Sequence, residues 1–557
     1  MTKLNLENKT MYQTILEASK ATPRALAIYY QGKKIKFSSF IKRIDRCADI
    51  LSNVLGVKQN DVILIAQPNI PDVLVLFYAC NKIGAIANLV HPFTPFNQVR
   101  DIIRKTKTKY AFVFEQRVAK EVEKYRDIAS KIYVTRIEDD LPLFKKVFYH
   151  TFMNNKIRKK LGKWRGKFQG FKYLKDLKPT GKGSPYIKDK WKETSVLLHS
   201  GSTTGDPKTI CLSDWNFNSI TEYSFHFLGN KKEDIHPKSR GMLAVLPSFH
   251  GFGLCMAMHV PLVSSFACVL IPKFSPKEVV DAMNHSPMGI ICGVPVMLES
   301  LLKDEKFLHN KHIKDIYVTF CGGDTISESL EQRWNDAMKF NGGQSRVFEG
   351  YGLTEAVCVN TVNTYKFNRK GSIGKAPEGI TFKIFDENDN EVKRGELGEI
   401  VLKSPAVMNG YFKDEENTKK AIVNGWLHSG DIGYMDEDDY IYFKQRKKRV
   451  IKVSGVGVFP TEVERLIESV PGVSACCAIR IPDARLQNAV KVFVVAKYFD
   501  EEGMRDSIMT TCRQYLIRWA VPKEIEFRDS LPLTKLNKID FNLLQREEDE
   551  KRGVKEE

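Results

Sequence analysis

Between residues 60 and 330, short unbroken apolar runs alternate with segments of helical period. "DVILIAQPN" (61–69), "YAFVFE" (110–115), "KIYVTR" (131–136), "GMLAVLPS" (241–248), "ACVLIPKF" (267–274), "GIICGVP" (289–295) and "DIYVTFCGG" (315–323) read as buried strands. "PDVLVLFYACNKIG" (71–84), "SPKEVVDAMNH" (275–285) and "SESLEQRWNDAMK" (327–339) read as the helices between them. Strands apolar on both faces need cover on both faces, which confines this stretch to α/β layers with largely parallel sheets.

From about residue 380 the pattern changes. "GITFKIFDENDNEVKRGELGEIVLKS" (379–404) holds two alternating strands around an Asp/Asn turn, which predicts a small β-rich subdomain over 380–445. After the charged run 444–449, "PTEVERLIESV", "VSACCAIRI", "AVKVFVVAKYF" and "SIMTTCRQYL" form an α+β pattern. The expected organisation is a large domain over 1–445, a connection at 446–449 and a small domain over 450–545. The polar stretch 546–557 is expected to be a disordered tail.

The 86 Lys+Arg outnumber the 67 Asp+Glu by 19, which favours anionic partners such as nucleotides, lipid headgroups or nucleic acid. The eleven cysteines fall mostly in apolar stretches with neither CxxC pairs nor His/Cys ligand spacing, so buried free thiols are expected rather than a disulfide framework or a zinc site. The first residues, "MTKLNLENKTMYQ", contain no apolar run of the kind a secretory signal needs, and the expected location is cytoplasmic. Residues 251–272 lack charge over a length that could span a bilayer. His259, Pro261 and two serines interrupt them, so the reading is a buried helix, a Pro turn and a core strand.

"HSGSTTGDPKTI" (199–210) has the composition of a phosphate-binding loop. It is not a Walker P-loop, because Ser202 and Pro207 stand where both glycines of that motif belong. The hydroxyls of Ser200, Ser202, Thr203 and Thr204, the N–H groups freed by Gly205 and its neighbours, and the ammonium of Lys208 suit a triphosphate.

Four further motifs follow it in order: "FEGYGLTEA" (348–356), "GWLHSGDIGYMDEDDYIYF" (425–443), "RKKRVIKVSGVGVFPTEVE" (446–464) and "LPLTKLNKID" (531–540). Together with the Ser/Thr/Gly loop they resemble the core motifs of the adenylate-forming superfamily, which comprises acyl-CoA synthetases, adenylation domains and firefly-type luciferases. The similarity extends from about residue 25 to 540 and is greatest to long-chain fatty-acyl-CoA synthetases. It implies a large N-terminal domain and a small mobile C-terminal domain. It also implies two half-reactions: a carboxylate attacks the α-phosphate of ATP with release of pyrophosphate, and a thiol then displaces AMP.

By this resemblance Lys538 is the catalytic lysine that bridges the carboxylate and the α-phosphate, with Asn537 where the family usually has Gly. Asn tolerates the left-handed conformation better than most residues. Glu355 matches the carboxylate that helps hold Mg²⁺, and Thr354 the hydroxyl on the phosphate. Asp431 matches the acceptor of the ribose hydroxyls, and Arg446 a second nucleotide contact. Gly322, Gly323 and Asp324, with Glu349, Gly350, Tyr351 and Gly352, match the adenine pocket. Lys448 stands at the pivot of the hinge and Gly455 beside the pantetheine arm of coenzyme A. His250, in a Phe249–His250 pair, resembles the residue at the carboxylate end of the acyl tunnel, with Phe252, Val294 and Val357 as walls. Ser202 and Thr209 replace two glycines of the family's phosphate loop.

Amino-acid-activating relatives carry a Phe-Asp pair where this chain has Phe249–His250, so no carboxylate is offered to a substrate amine. Residues 144–175 are the most particular stretch: positions 145–175 hold eleven Lys/Arg and no Asp or Glu, interleaved with aromatic residues. A similar basic insertion occurs in long-chain fatty-acyl-CoA synthetases. At about 1 kcal/mol per cation near an anionic leaflet, it would dock the chain peripherally on the cytoplasmic face of a membrane. The expected activity is therefore fatty-acid–CoA ligation, using ATP, Mg²⁺ and coenzyme A, by a monomer or homodimer with no nucleic-acid partner. The alternatives are an aryl or short- or medium-chain acid–CoA ligase, a ligase that loads an acyl carrier protein, and an inactive membrane- or nucleic-acid-binding relative.

Overall fold

The apolar runs become parallel strands in two eight-stranded sheets. The computed structural model describes residues 8–120, 122–125, 128, 131–148, 172–200, 208–228, 235–454, 456–496, 500–534 and 539–554. By packing, the chain divides into two units. One comprises Met1–Gly201, Pro207–Thr381 and Lys403–Gly425; the other contains Phe382–Leu402 and Trp426–Glu557.

In the first unit, one sheet has the strand order Gly410–Tyr411, Thr209–Ser213, Thr194–His199, Ile86–Leu89, Val62–Ala66, Tyr110–Phe114, Ile132–Thr135 and Lys172–Tyr173. It is parallel from Thr194–His199 to Lys172–Tyr173 and closes on an antiparallel hairpin. The second sheet places Val347–Gly352, Val318–Cys321, Ile290–Gly293, Gly241–Ala244 and Ala267–Leu270 side by side, all parallel. Every residue of Val62–Ala66, Gly241–Ala244 and Ile290–Gly293 is buried, as strands covered on both faces must be. The carboxyl ends of such strands are where open α/β sheets bind ligands.

Among the described residues, no helix is long and apolar enough to cross a membrane. The uncharged run 251–272 instead folds as a π-helix, Phe252–His259, continued by Val260–Val263 and then the strand Ala267–Leu270. Pro261 does not make the expected turn. It lies inside the continuous helical run, with His259 and Val260 before it both right-handed helical, and the chain reverses at Ser264–Ser265, with Ser265 at φ +59°. His259 is fully buried and bonded on both ring nitrogens, to Tyr78 Oη (2.8 Å) and Asn218 Oδ1 (3.1 Å). All eleven cysteines are buried free thiols.

In the second unit, Gly398–Lys403 pairs antiparallel with Trp426–Met435, which pairs with Ile441–Arg446. The Asp/Asn turn is built on Asp386, whose carboxylate accepts from the N–H groups of Asn388 and Asn390. A three-stranded sheet, Val473–Asp483, Gln487–Ala496 and Glu524–Phe527, carries Pro460–Glu468 and Glu501–Tyr515 on one face and Phe541–Arg552 on the other. The last of these corrects the expected tail over 546–557: a helix runs through Arg552. Asp540 caps its start, Leu544 is fully buried, and Glu548 pairs with the buried Lys491 at 2.8 Å. A polar sequence orders here because its charges meet partners on the sheet.

Candidate active site

The stems of the Ser/Thr/Gly loop are a stitched hairpin. Thr194–His199 and Thr209–Ser213 pair with His199 opposite Thr209. Beyond them Ser200 N donates to Lys208 O (2.9 Å), and Lys208 N donates to Ser200 Oγ (3.1 Å). Ser202, Thr203, Thr204 and Gly205 lie outside the described residues, as do Gly455 and Lys538.

Lys208 Nζ stands 4.7 Å from the ring centroid of Tyr411, within reach of a cation–π contact. The Tyr411 hydroxyl donates to Glu355 Oε1 at 3.1 Å, and Met408 N donates to Glu355 O at 2.8 Å. Burial, then the Glu355 charge, push the Tyr411 phenol well above its ordinary value, so it remains a neutral donor. Tyr411 reaches this place because Gly410–Tyr411 pairs with the strand that follows Lys208. Sequence reading missed it: 56 residues separate Tyr411 from Glu355, and only the sheet unites them.

Gly322 and Gly323 follow the strand Val318–Cys321, whose Cys321 stands opposite Glu349. A Cβ on Gly322 would lie 3.2 Å from Gly350 O and 3.5 Å from the Phe252 ring. Gly323 has φ +76°, and a Cβ there would lie 3.8 Å from Val294 Cγ1. Asp324 accepts from Thr325 N (3.0 Å), while Tyr351 stands opposite Thr361. The proposed adenine floor and two of the acyl-wall residues therefore share one surface, made of strand ends stripped of side chains.

After Gly352 comes a short helical turn, Thr354–Ala356, and then Val357 at φ +62°, ψ −63°. Cys358 N donates to Ala356 O (2.7 Å), which makes Val357 the centre of a γ-turn in the strained, positive-φ form. For a β-branched residue this is a true outlier, costing about 1–3 kcal/mol. Asn360 Nδ2 holds the turn by donating to Ala356 O (3.0 Å) and Cys358 O (3.2 Å). His250 opens the π-helix, with Leu254 N donating to its carbonyl (2.8 Å). Its ring centroid is 4.8 Å from that of Phe249, which is itself 4.8 Å from His91. Asn69 ties down the preceding loop: its amide donates to Ala244 O and Leu246 O, and its oxygen accepts from Ser248 N. Asn69 is a second residue that sequence reading did not find.

In the second unit, Asp431 is buried and lies 3.0 Å from Arg446 Nε, the two standing opposite each other in the sheet. Gly430, at φ +70°, donates its N–H to Glu399 Oε1 (2.9 Å), and Lys447 Nζ reaches Glu399 Oε2 (2.9 Å). Burial pushes the Glu399 carboxyl up, but Lys447 and the Gly430 N–H outweigh it and hold the group below its ordinary value. On the far side of the exposed Lys448, Arg449 grips Glu464 (2.5 Å) and Ala478 O (3.3 Å). Lys448 thus lies between one anchor on the β-rich sheet and another on the α+β fold.

The model of the AMP-binding enzyme family matches residues 15–412, and that of the AMP-binding enzyme C-terminal domain matches 462–538. A long-chain-fatty-acid–CoA ligase of Bacillus subtilis is 28% identical over 556 residues, 99% of this chain and 97% of the relative. An Escherichia coli O6:H1 protein of the same name is 29% identical, with 95% and 92% covered. The fold is also that of ATP-bound MatB from Rhodopseudomonas palustris, with a TM-score of 0.82 at 22% identity over 98% of this chain and 99% of that one. With the phosphate-loop stem, the acidic turn and the bare strand ends all inside the matched span, the chain belongs to the AMP-binding enzyme family.

Proposed function

We propose that the chain activates a medium- or long-chain fatty acid with ATP and passes the acyl group to coenzyme A. The observation that carries this reading is the hub at Tyr411, which joins Lys208, a phosphate cation, to Glu355, a carboxylate suited to a metal. In the first half-reaction a carboxylate oxygen attacks the α-phosphorus and pyrophosphate leaves. In the second, the thiol sulfur attacks the acyl carbon, and AMP leaves with the former carboxylate oxygen.

The first step brings two anions together, and at ~4 Å in an effective dielectric of 20 unit charges repel by about 4 kcal/mol. Lys208 opposes that repulsion at the phosphates and Lys538 between the reacting groups. Asp431 receives the ribose hydroxyls and is oriented by Arg446, while the glycine floor admits the flat base. A single carboxylate, with one oxygen held by Tyr411, fits Mg²⁺, which prefers substrate oxygens and water to an all-protein cage. Bound there by Glu355, Mg²⁺ would supply positive charge to the phosphate oxygens.

Lys448 serves as the pivot of a hinge at 446–449 between a large domain, 1–445, and a small one, 450–545. Its rotation exchanges Lys538 for Gly455 at the reacting carbonyl. The substrate class rests on the names of relatives that span nearly the whole chain and on the Phe249–His250 pair, which sets no carboxylate before a substrate amine. Peripheral docking through 144–175, most of which lies outside the described residues, is supported by the helix Leu143–Phe148. There Leu143 and Val147, four residues apart on one face, are 79% and 58% exposed beside Lys145 and Lys146.

The test is ATP–pyrophosphate exchange and thioester formation with a panel of acids from acetate to stearate, together with benzoate. Palmitate with free coenzyme A should release AMP, and Lys538→Ala should lower exchange by about 10²–10³. Persistent exchange in that variant, or turnover only with an acyl carrier protein, would overturn the reading.

A further inference from the structure

We propose that His199 is a positioning residue for nucleotide binding, a neutral clasp that joins Asn88 to Thr209 and closes the stem of the phosphate loop. This rests on the reading of ATP as substrate, and deepens it by naming a residue that controls ATP affinity without touching ATP.

His199 is the last residue of its strand, one position before Ser200. Its Nε2 lies 2.7 Å from Asn88 Oδ1 on the neighbouring parallel strand, and its Nδ1 lies 3.3 Å from Thr209 Oγ1 on the antiparallel one. A carboxamide oxygen only accepts, so Nε2 carries the proton and Nδ1 receives the Thr209 hydroxyl hydrogen. Asn88 is fully buried and Thr209 is 3% exposed, so water does not compete for either bond. Burial, and then the Lys105 charge, push the imidazole down to about 4, which keeps this arrangement neutral in ordinary buffers.

Thr209 stands where the family motif has Gly. A residue with φ freedom there would let the second stem move; a buried Thr bonded across the hairpin does the opposite. The next rung, between Ser200 and Lys208, is stitched by two further hydrogen bonds. The clasp therefore lies directly beneath Ser200 and Lys208, the described residues of the phosphate loop that are proposed to meet the triphosphate. Its three members come from three adjacent strands, so it fixes both stems to the body of the sheet rather than only to each other.

The test compares Thr209→Val, His199→Phe, the double variant and His199→Gln in the full chain. Readouts are direct ATP binding by titration calorimetry, the KM values for ATP and acid, kcat for exchange, and melting temperature. Thr209→Val should weaken ATP binding by about tenfold, the scale of one buried hydrogen bond, and His199→Phe, which also gives up the bond to Asn88, by at least as much, with kcat and the acid KM within about twofold in both. The double variant should be no worse than the weaker single one, because both remove the same link. His199→Gln, which can donate to Asn88 and accept from Thr209, should recover most of the affinity. Unchanged ATP affinity, additive losses, or a uniform fall in every parameter that tracks melting temperature would each overturn the clasp. Failure of the unsubstituted chain to exchange pyrophosphate with any acid would instead overturn the proposed activity, and the calorimetric arm would still test the clasp.

Discussion

The carbonyl oxygen of Val357 occupies the space where a side chain on Gly251 would begin, 1.5 Å from an ideal Cβ. The strained turn and the start of the π-helix are thus fitted to each other through a missing atom. Gly251→Ala cannot be relieved by rotating a side chain, since the obstacle is backbone. It is expected to cost about 2–3 kcal/mol of stability, as overpacking does, and to lower acid-dependent exchange more than ATP affinity. Melting curves alongside kinetics check this, and a variant as stable and as active as the parent would refute it.

Tyr411→Phe removes one hydroxyl and leaves the ring under Lys208. A hydrogen bond to a charged carboxylate is worth about 1.5–3 kcal/mol, so the Mg²⁺ concentration needed for half-maximal exchange should rise roughly tenfold or more. Thermal stability should change little, because the ring continues to fill its site. A magnesium titration of exchange in both proteins decides the matter; superimposable curves would detach Glu355 from the metal role.

Arg449 and Lys447 hold Lys448 from opposite sides, through Glu464 and Glu399 respectively. Glu464→Gln loosens the anchor on the α+β side alone. Adenylate formation should stay within about twofold, while thioester formation falls by roughly three- to tenfold, because only the second half-reaction requires the small domain to arrive in a new pose. Single-turnover measurement of each half-reaction separates the two, and equal losses in both would remove the hinge role from this pair.

Lys491 Nζ lies 2.7 Å from Glu526 and 2.8 Å from Glu548, with its side chain 4% exposed. Burial pushes both carboxyls up, but the Lys491 hydrogen bonds and the nearby Arg528 and Arg552 outweigh it and hold both below their ordinary value. A carboxyl depressed in the folded state stabilises it fully above the unfolded value, about 4.3, and that contribution is lost as pH falls through the folded value. Amide protection of the helix Phe541–Arg552 should therefore be flat from neutral pH to about 5 and fall below about 4. Lys491→Met at neutral pH should weaken it by about 3–5 kcal/mol, since two carboxylates would be left beside an apolar group. Hydrogen exchange that is indifferent to both changes would contradict this account.

Much of this was readable from local order. A period of two or of 3.6 belongs to the chain itself, so the parallel strands and the helices between them could be located before any contact was known. Lys208 stood inside a loop whose composition already suited phosphates, while the roles of Glu355 and Asp431 came only from the resemblance of their motifs to the adenylate-forming superfamily. The helix through Arg552 was not readable in that way, because nothing in "REEDEKRGVKEE" signals the buried Lys491 that orders it.

What sequence determined by itself was the alternation that dictates layered α/β sheets and the residue types needed for a nucleotide and a carboxylate. Only tertiary structure decided which distant groups share a site: Tyr411 with Glu355 and Lys208, Thr209 with His199 and Asn88, Val357 with Gly251. The reason is geometric. Outside hairpins such as the one joining His199 to Thr209, the partners lie far apart in the chain, 56 residues for Tyr411 and Glu355 and 111 for His199 and Asn88, so hydrogen bonds between them leave no trace in the local pattern of either partner.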